Sequence, residues 1–204
     1  ATVEQMELSG TAGEIKAAGT VGLLADRPID VNVDGKLNVA ALSVVTNKVR
    51  TEGDSTLNLH ARGTIADPEV TGSVDIANTS FASDDPNIAG QSLNAHLDLE
   101  GKRIVLTKLE SDLNGGTLSG SGSVTLGDGS VSEIDLRITT KDVAYDAPLD
   151  LRSISSSNIR VTRRGEDIVI GGQVTIDEAG LTGDINFDQG LLAAMTQRRR
   201  LDLT

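Results

Sequence analysis

Hydrophobic and polar residues alternate with a period of two along most of the chain, the pattern of half-buried β-strands. In residues 57–81, LNLHARGTIADPEVTGSVDIANTSF, Leu57, Leu59 and Ala61 share one face while Asn58, His60 and Arg62 share the other. After Asp67-Pro68 the alternation resumes through Val70, Gly72, Val74 and Ile76. Shorter runs precede it at Val21–Leu23 and Ile29–Val33. Others follow at Leu93–Leu99, Ile104–Leu106, Leu118–Leu126, Ile134–Ile138, Ile159–Val161, Ile168–Ile170, Val174–Ile176 and Ile185–Phe187. Tight turns are expected at Gly101-Lys102, Gly127-Asp128-Gly129 and Arg164–Asp167. About a dozen strands joined by such turns make an antiparallel meander.

Two stretches break the pattern. Residues 37–50 (LNVAALSVVTNKVR) place Leu37, Ala41, Val44 and Val45 near helical spacing, predicting a short helix or an irregular link. Residues 188–200 predict a helix with Asp188 as N-cap and Arg198, Arg199 and Arg200 at the end where the helix dipole favours cations. Pro148 cannot donate to a sheet, which makes 141–158 the expected hinge. The chain thus divides into leading strands (1–36), the link (37–50), a main sheet segment (51–187), and a short helix with the start of a further strand (188–204).

Composition changes this picture in one respect. The chain has no Trp, one Tyr and two Phe, so the aromatic side chains that usually supply core area are nearly missing. Leu, Ile, Val and Ala must line whatever interior exists. Two architectures suit that: a β-solenoid with stacked aliphatic ladders, or a curved sheet whose apolar face is covered by something outside this chain. The net charge of −12 argues against nucleic acid and against adsorption to an anionic membrane. The lack of cysteine excludes disulfides and thiolate metal sites. No apolar run approaches the ~20 residues that span a bilayer. Residue 1 is not Met, consistent with a piece of a longer protein.

Candidate chemistry is thin. Asp30, Asn32, Asp34 and Gly35 match the start of a calcium loop, but the acid required six residues after the glycine is Ala41. His60 and His96 lie on the polar phase and could be cross-strand neighbours, yet two histidines make a poor metal site. Asp84 and Asp85 precede Pro86-Asn87, a turn signal. Glu110 and Asp112 share a strand face without an aromatic sugar platform. No nucleophile elbow is present. The expectation is no enzyme, no metal and no cofactor. Gly72, Gly120 and Gly122 fall on the apolar phase, which means either a corner of the sheet or room for a ligand.

The order of blocks is informative. GKLNVAAL at 35–42 is followed by TLNLHARGTIADPEVTGSVDIANTSF, then LNAHLDLEGKRIVLTKLES at 93–111. GGTLSGSGSVTLGDGSVSEIDLRITTKDV and IVIGGQVTIDEAGLTGD follow. Over roughly residues 35–190 this resembles the TamB family (translocation and assembly module), within the AsmA-like group and similar in architecture to bridge-like, chorein-type lipid-transfer proteins. Gly63, Thr64, Asp67, Pro68, Gly72 and Val74 carry the most telling segment.

The resemblance implies an all-β fold: a long, mainly antiparallel sheet folded lengthwise into a U-shaped trough, or β-taco, with an apolar interior and one or two short helices. It implies an internal or C-terminal-domain fragment of a periplasmic protein anchored in the inner membrane. Expected partners are phospholipid, neighbouring segments of the same chain and an outer-membrane insertase-type barrel. The expected function is a lipid-transport conduit between inner and outer membranes in outer-membrane biogenesis. The alternative is a scaffold for outer-membrane protein assembly by strand augmentation. In the conduit, acyl chains would contact Leu57, Leu59, Ile65, Val74, Ile76, Leu93, Leu97, Leu99, Ile104, Leu106, Leu118, Val124, Leu126, Ile134, Leu136, Ile138, Ile168, Ile170, Val174, Ile176, Ile185 and Phe187. An outward change such as Asn94→Asp is expected to be silent.

Overall fold

The computed structural model describes residues 2–22, 28–40, 49–84, 87–127, 130–147 and 151–181. They form eleven strands: β1 (Thr2–Gly10), β2 (Gly13–Val21), β3 (Pro28–Asn38), β4 (Val49–Thr64), β5 (Pro68–Asp84), β6 (Asn87–Gly101), β7 (Arg103–Leu113), β8 (Gly116–Gly127), β9 (Ser130–Ala147), β10 (Leu151–Arg164) and β11 (Asp167–Leu181). Each pairs antiparallel with its neighbour in sequence, giving one open sheet in the order β1 to β11. The expected all-β, mainly antiparallel sheet is what forms, and it does not close into a barrel.

Several strands are longer than their sequence runs because β-bulges flip the alternation partway. On β5 the apolar phase passes through Val74 and Ile76, then shifts so that Thr79 and Phe81 continue the same face. A bulge places two residues opposite one, bending the strand and increasing its twist. These irregularities line up across the sheet. Register shifts fall between Glu52 and Asp54, around Thr79, between Gln91 and Asn94, and between Ser155 and Ser157. Asn78, Ser92 and Asp142 have left-handed backbones there, with φ of 49°, 54° and 54°. The line is a crease, where the strands bend and twist more strongly.

Side chains satisfy the backbone at the crease. The Asn78 N–H donates to Asn94 Oδ1 at 3.2 Å, and Asn94 Nδ2 donates to the Ser92 carbonyl at 2.7 Å. The Asp142 N–H donates to Ser156 Oγ, which donates to Asp177. Asn94 is therefore a structural residue, and its change to Asp, expected to be silent, removes the donor that holds Ser92. The hydroxyls buried near the crease are small and bonded: Thr79 is 1 % exposed, and Ser111 donates to the Gln91 carbonyl at 2.9 Å.

The β7–β8 hairpin ends at the crease in a turn with φ of 44° at Asn114 and 83° at Gly115, the two-residue geometry that Asn-Gly favours. Asn114 then stitches β6 to β9 across the hairpin tip. Its N–H donates to the Ala89 carbonyl, its Oδ1 accepts from the Ala89 N–H, and its Nδ2 donates to the Ala144 carbonyl at 2.9 Å.

The expected link at 37–50 is shorter than its sequence pattern. Leu37 and Asn38 belong to β3, and Val49 and Arg50 to β4. Asn38 Oδ1 accepts the Ala40 N–H as the chain turns away, and 41–48 lie outside the described residues. The helix expected at 188–200 also lies outside them, as does Pro148. Within 141–158, β9 continues to Ala147 and β10 begins at Leu151.

Candidate functional site: an open apolar face

Paired residues of neighbouring strands project to the same side, so the registers assign faces across the whole sheet. One row runs Leu8, Ile15, Gly35, Leu57, Val74, Leu97, Leu106, Gly122, Leu136, Val161 and Ile170. The adjacent row runs Met6, Ala17, Val33, Leu59, Gly72, Leu99, Ile104, Val124, Ile134, Arg163 and Ile168 by the same pairings. Arg163 is the one charge in these two rows, at the rim, where its Nε donates to the Gly165 carbonyl at 2.8 Å.

Of the residues read as lining, Ile76, Leu93, Leu118, Leu126, Ile138, Val174 and Ile176 stand on this same face in further rows. Ile65 lies in the bend between β4 and β5 rather than on a strand. Ile185 and Phe187 fall outside the described residues. The face also carries residues that the lining list lacked. Val31, Val33 and Val161 were legible as strand residues. Leu109 was not, because a bulge between Leu106 and Leu109 switches the phase. Val105 and Val169, though apolar, stand on the polar face.

This face is open. Val39 and Ala95 are the buried apolar residues among those described, while Ile170 is 70 % and Ile176 64 % exposed. The answer to the aromatic deficit is that the sheet has little interior of its own to fill. Phe81 is an exception with a local job: its ring lies where a side chain at Gly90 would stand, and Gly90 is buried beneath it. The inward Gly72 and Gly122 belong to the sheet's own packing, since the backbones of Leu59 and Leu136 occupy the space a Cβ would need.

The opposite face is polar and laced with exposed ion pairs, each worth little by itself. The calcium-like residues stand on β3 as ordinary strand positions. Asp30 meets His60 Nε2 at 2.7 Å, and Asp34 accepts from Asn58. His60 and His96 are not cross-strand neighbours; they pair with Thr71 and Asp75 respectively. Asp84 forms a bidentate pair with Arg50 at 2.9 and 3.0 Å, and Glu110 meets Lys108 at 3.0 Å. Among the described residues no cluster could hold a metal ion, and no helix is long and apolar enough to cross a membrane.

The protonation of His96 is shifted by its neighbours. Its Nδ1 lies 2.5 Å from Asp75 Oδ1, and that hydrogen bond raises the imidazole above its ordinary 6.5; partial burial opposes the shift and Asp98 adds to it. A raised folded pKa contributes stability that is full below the unfolded value and is lost as pH rises through the folded one. Asp75→Asn should therefore lower the His96 midpoint in an NMR titration. It should cost more stability at about pH 5 than at about pH 9.

A comparison with known families matches residues 106–185 to the TamB C-terminal domain. Searches of curated proteins and of solved structures each find no match. The matched stretch begins in β7 and takes in β8 to β11 whole, so the recognition made from the order of blocks is borne out there, while 35–105 rest on the resemblance alone. Within this meander with its single apolar face, residues 106–185 are thus similar to the TamB C-terminal domain.

Proposed function

We propose that this sheet is a segment of a lipid conduit in the bacterial envelope, carrying phospholipid acyl chains along its apolar face between inner and outer membranes. The observation that carries the reading is the solvent-open, largely aliphatic face running from β1 to β11. A methylene moved from water to an apolar surface gains about 0.8 kcal/mol, so a chain of about 15 gains roughly 12 kcal/mol in a bilayer or on such a face. The face need only match the bilayer. Ten strand intervals of about 4.8 Å give it a run of about 48 Å. Headgroups stay in water at the open side. In this reading the chain belongs to a periplasmic protein held at the inner membrane, continuous with neighbouring sheet segments, and has no catalytic role.

A second reading has one observation in its favour. β11 is an edge strand with no partner on its outer side among the described residues, a template that could augment strands of an outer-membrane barrel client. Native mass spectrometry of the chain purified from bacterial cells without harsh detergent separates the two. Co-purifying phospholipid, lost on delipidation and regained from vesicles, is the conduit result. A folded chain that neither retains nor takes up phospholipid would remove the conduit.

A further inference from the structure

At the hairpin-tip end of the apolar face lies a recess of about 530 Å³, walled by Pro68, Val70, Leu99, Ile104 and Leu126. It falls within the range of ligand-sized clefts. Its mouth holds an ion pair, Lys102 Nζ to Asp67 Oδ1 at 3.0 Å, with both side chains more than half exposed. Both backbones are pinned. The Leu126 N–H donates to the Lys102 carbonyl at 2.8 Å. The Asp67 N–H is held by Thr64 Oγ1 at 3.1 Å and by the Thr64 carbonyl at 3.2 Å. An apolar recess with one cation and one anion at its mouth has the shape of a lipid tail with a zwitterionic head.

We infer that this recess is a docking point on the conduit that selects zwitterionic phospholipid, the acyl chain entering the recess while phosphate and ammonium take Lys102 and Asp67 as partners. The inference rests on the conduit reading and adds headgroup selection to it. An exposed ion pair is weak, so a ligand carrying both charges can exchange with it and leave every charge matched. An anionic head would take Lys102 and strand Asp67.

The test is native mass spectrometry of the whole chain titrated with an equimolar mixture of phosphatidylethanolamine and phosphatidylglycerol of identical acyl chains. The chain should hold the zwitterion in excess by about threefold at low salt, the size that exposed charge contacts support, and the excess should shrink as salt screens the mouth. Asp67→Asn, which keeps the turn's backbone bonds, should abolish or reverse the preference without reducing total lipid. Glu110→Gln, remote on the polar face, should preserve it. Equal retention of the two lipids, or a preference unchanged in Asp67→Asn with the fold intact by circular dichroism, overturns headgroup selection and leaves the conduit standing. Failure to bind either lipid overturns both.

Discussion

Gly122→Ala will destabilise the sheet by about 3 kcal/mol or more, while Gly120→Ala, two residues away on the same strand face, will cost far less. The two positions are alike in sequence and differ in backbone. Gly122 has φ of 153°, which L side chains rarely adopt, and its Cβ would lie 2.8 Å from the Leu136 Cα of β9. That neighbour is backbone in a hydrogen-bonded ladder and cannot move without breaking the β8–β9 pairing. At Gly120 the φ is ordinary; a Cβ would meet Leu109 Cδ2 at 3.0 Å, the end of a side chain that can turn aside, and the Arg137 carbonyl oxygen at 3.1 Å, a contact that a shift of a few tenths of an ångström relieves. Gly72 repeats the Gly122 situation, with φ of 128° and the Leu59 Cα at 2.9 Å, so Gly72→Ala should resemble Gly122→Ala. Urea unfolding followed by circular dichroism reads the order. Equally small costs at 120 and 122 would mean that the close approach of strands is not what the inward glycines serve.

The alternation of Leu57, Leu59, Val74 and Ile76 was enough to assign their face, because a strand's side chains repeat every two residues whatever it pairs with. Register between strands has no such local signal. The bulges at Asn78, Ser92 and Asp142 depend on the partner strand, and each flips the phase, so β5 and β9 read as shorter runs than the strands they are. A one-residue shift moves every later side chain to the other face. That is why Leu109 was missed and why Lys108, expected inward by simple alternation from Leu106, stands outward against Glu110. Asn114-Gly115 was a legible signal for a two-residue hairpin. Its stitching of β6 to β9 was not, since it joins residues about thirty apart. The Lys102–Asp67 pair likewise joins two hairpin tips: each turn was legible by itself, but their contact was not.

Placing a charge on the open face separates a conduit from a strand-augmenting scaffold most sharply. Leu97→Asp and Leu136→Arg stand in one row, on β6 and β9, in the middle of the path that lipid would follow. The fold should tolerate both. Neither residue is fully buried, so each new charge keeps access to water when the face is empty. Losing part of a leucine's contact area costs on the order of 1 kcal/mol. With an acyl chain in place, the same charge must be desolvated or the lipid must lift away, and either penalty runs to several kcal/mol. A barrier raised by about 1.4 kcal/mol already slows passage tenfold, so phospholipid transport should fall by at least that factor in cells that depend on this protein. Asn158→Asp, an exposed outward position on β10, should leave transport unchanged. A scaffold working through the backbone edge of β11 would be indifferent to all three, because none of them removes a main-chain donor or acceptor from that edge. Transport intact in both inward variants, with the variants folded and expressed, would therefore sink the conduit and leave the edge as the working surface.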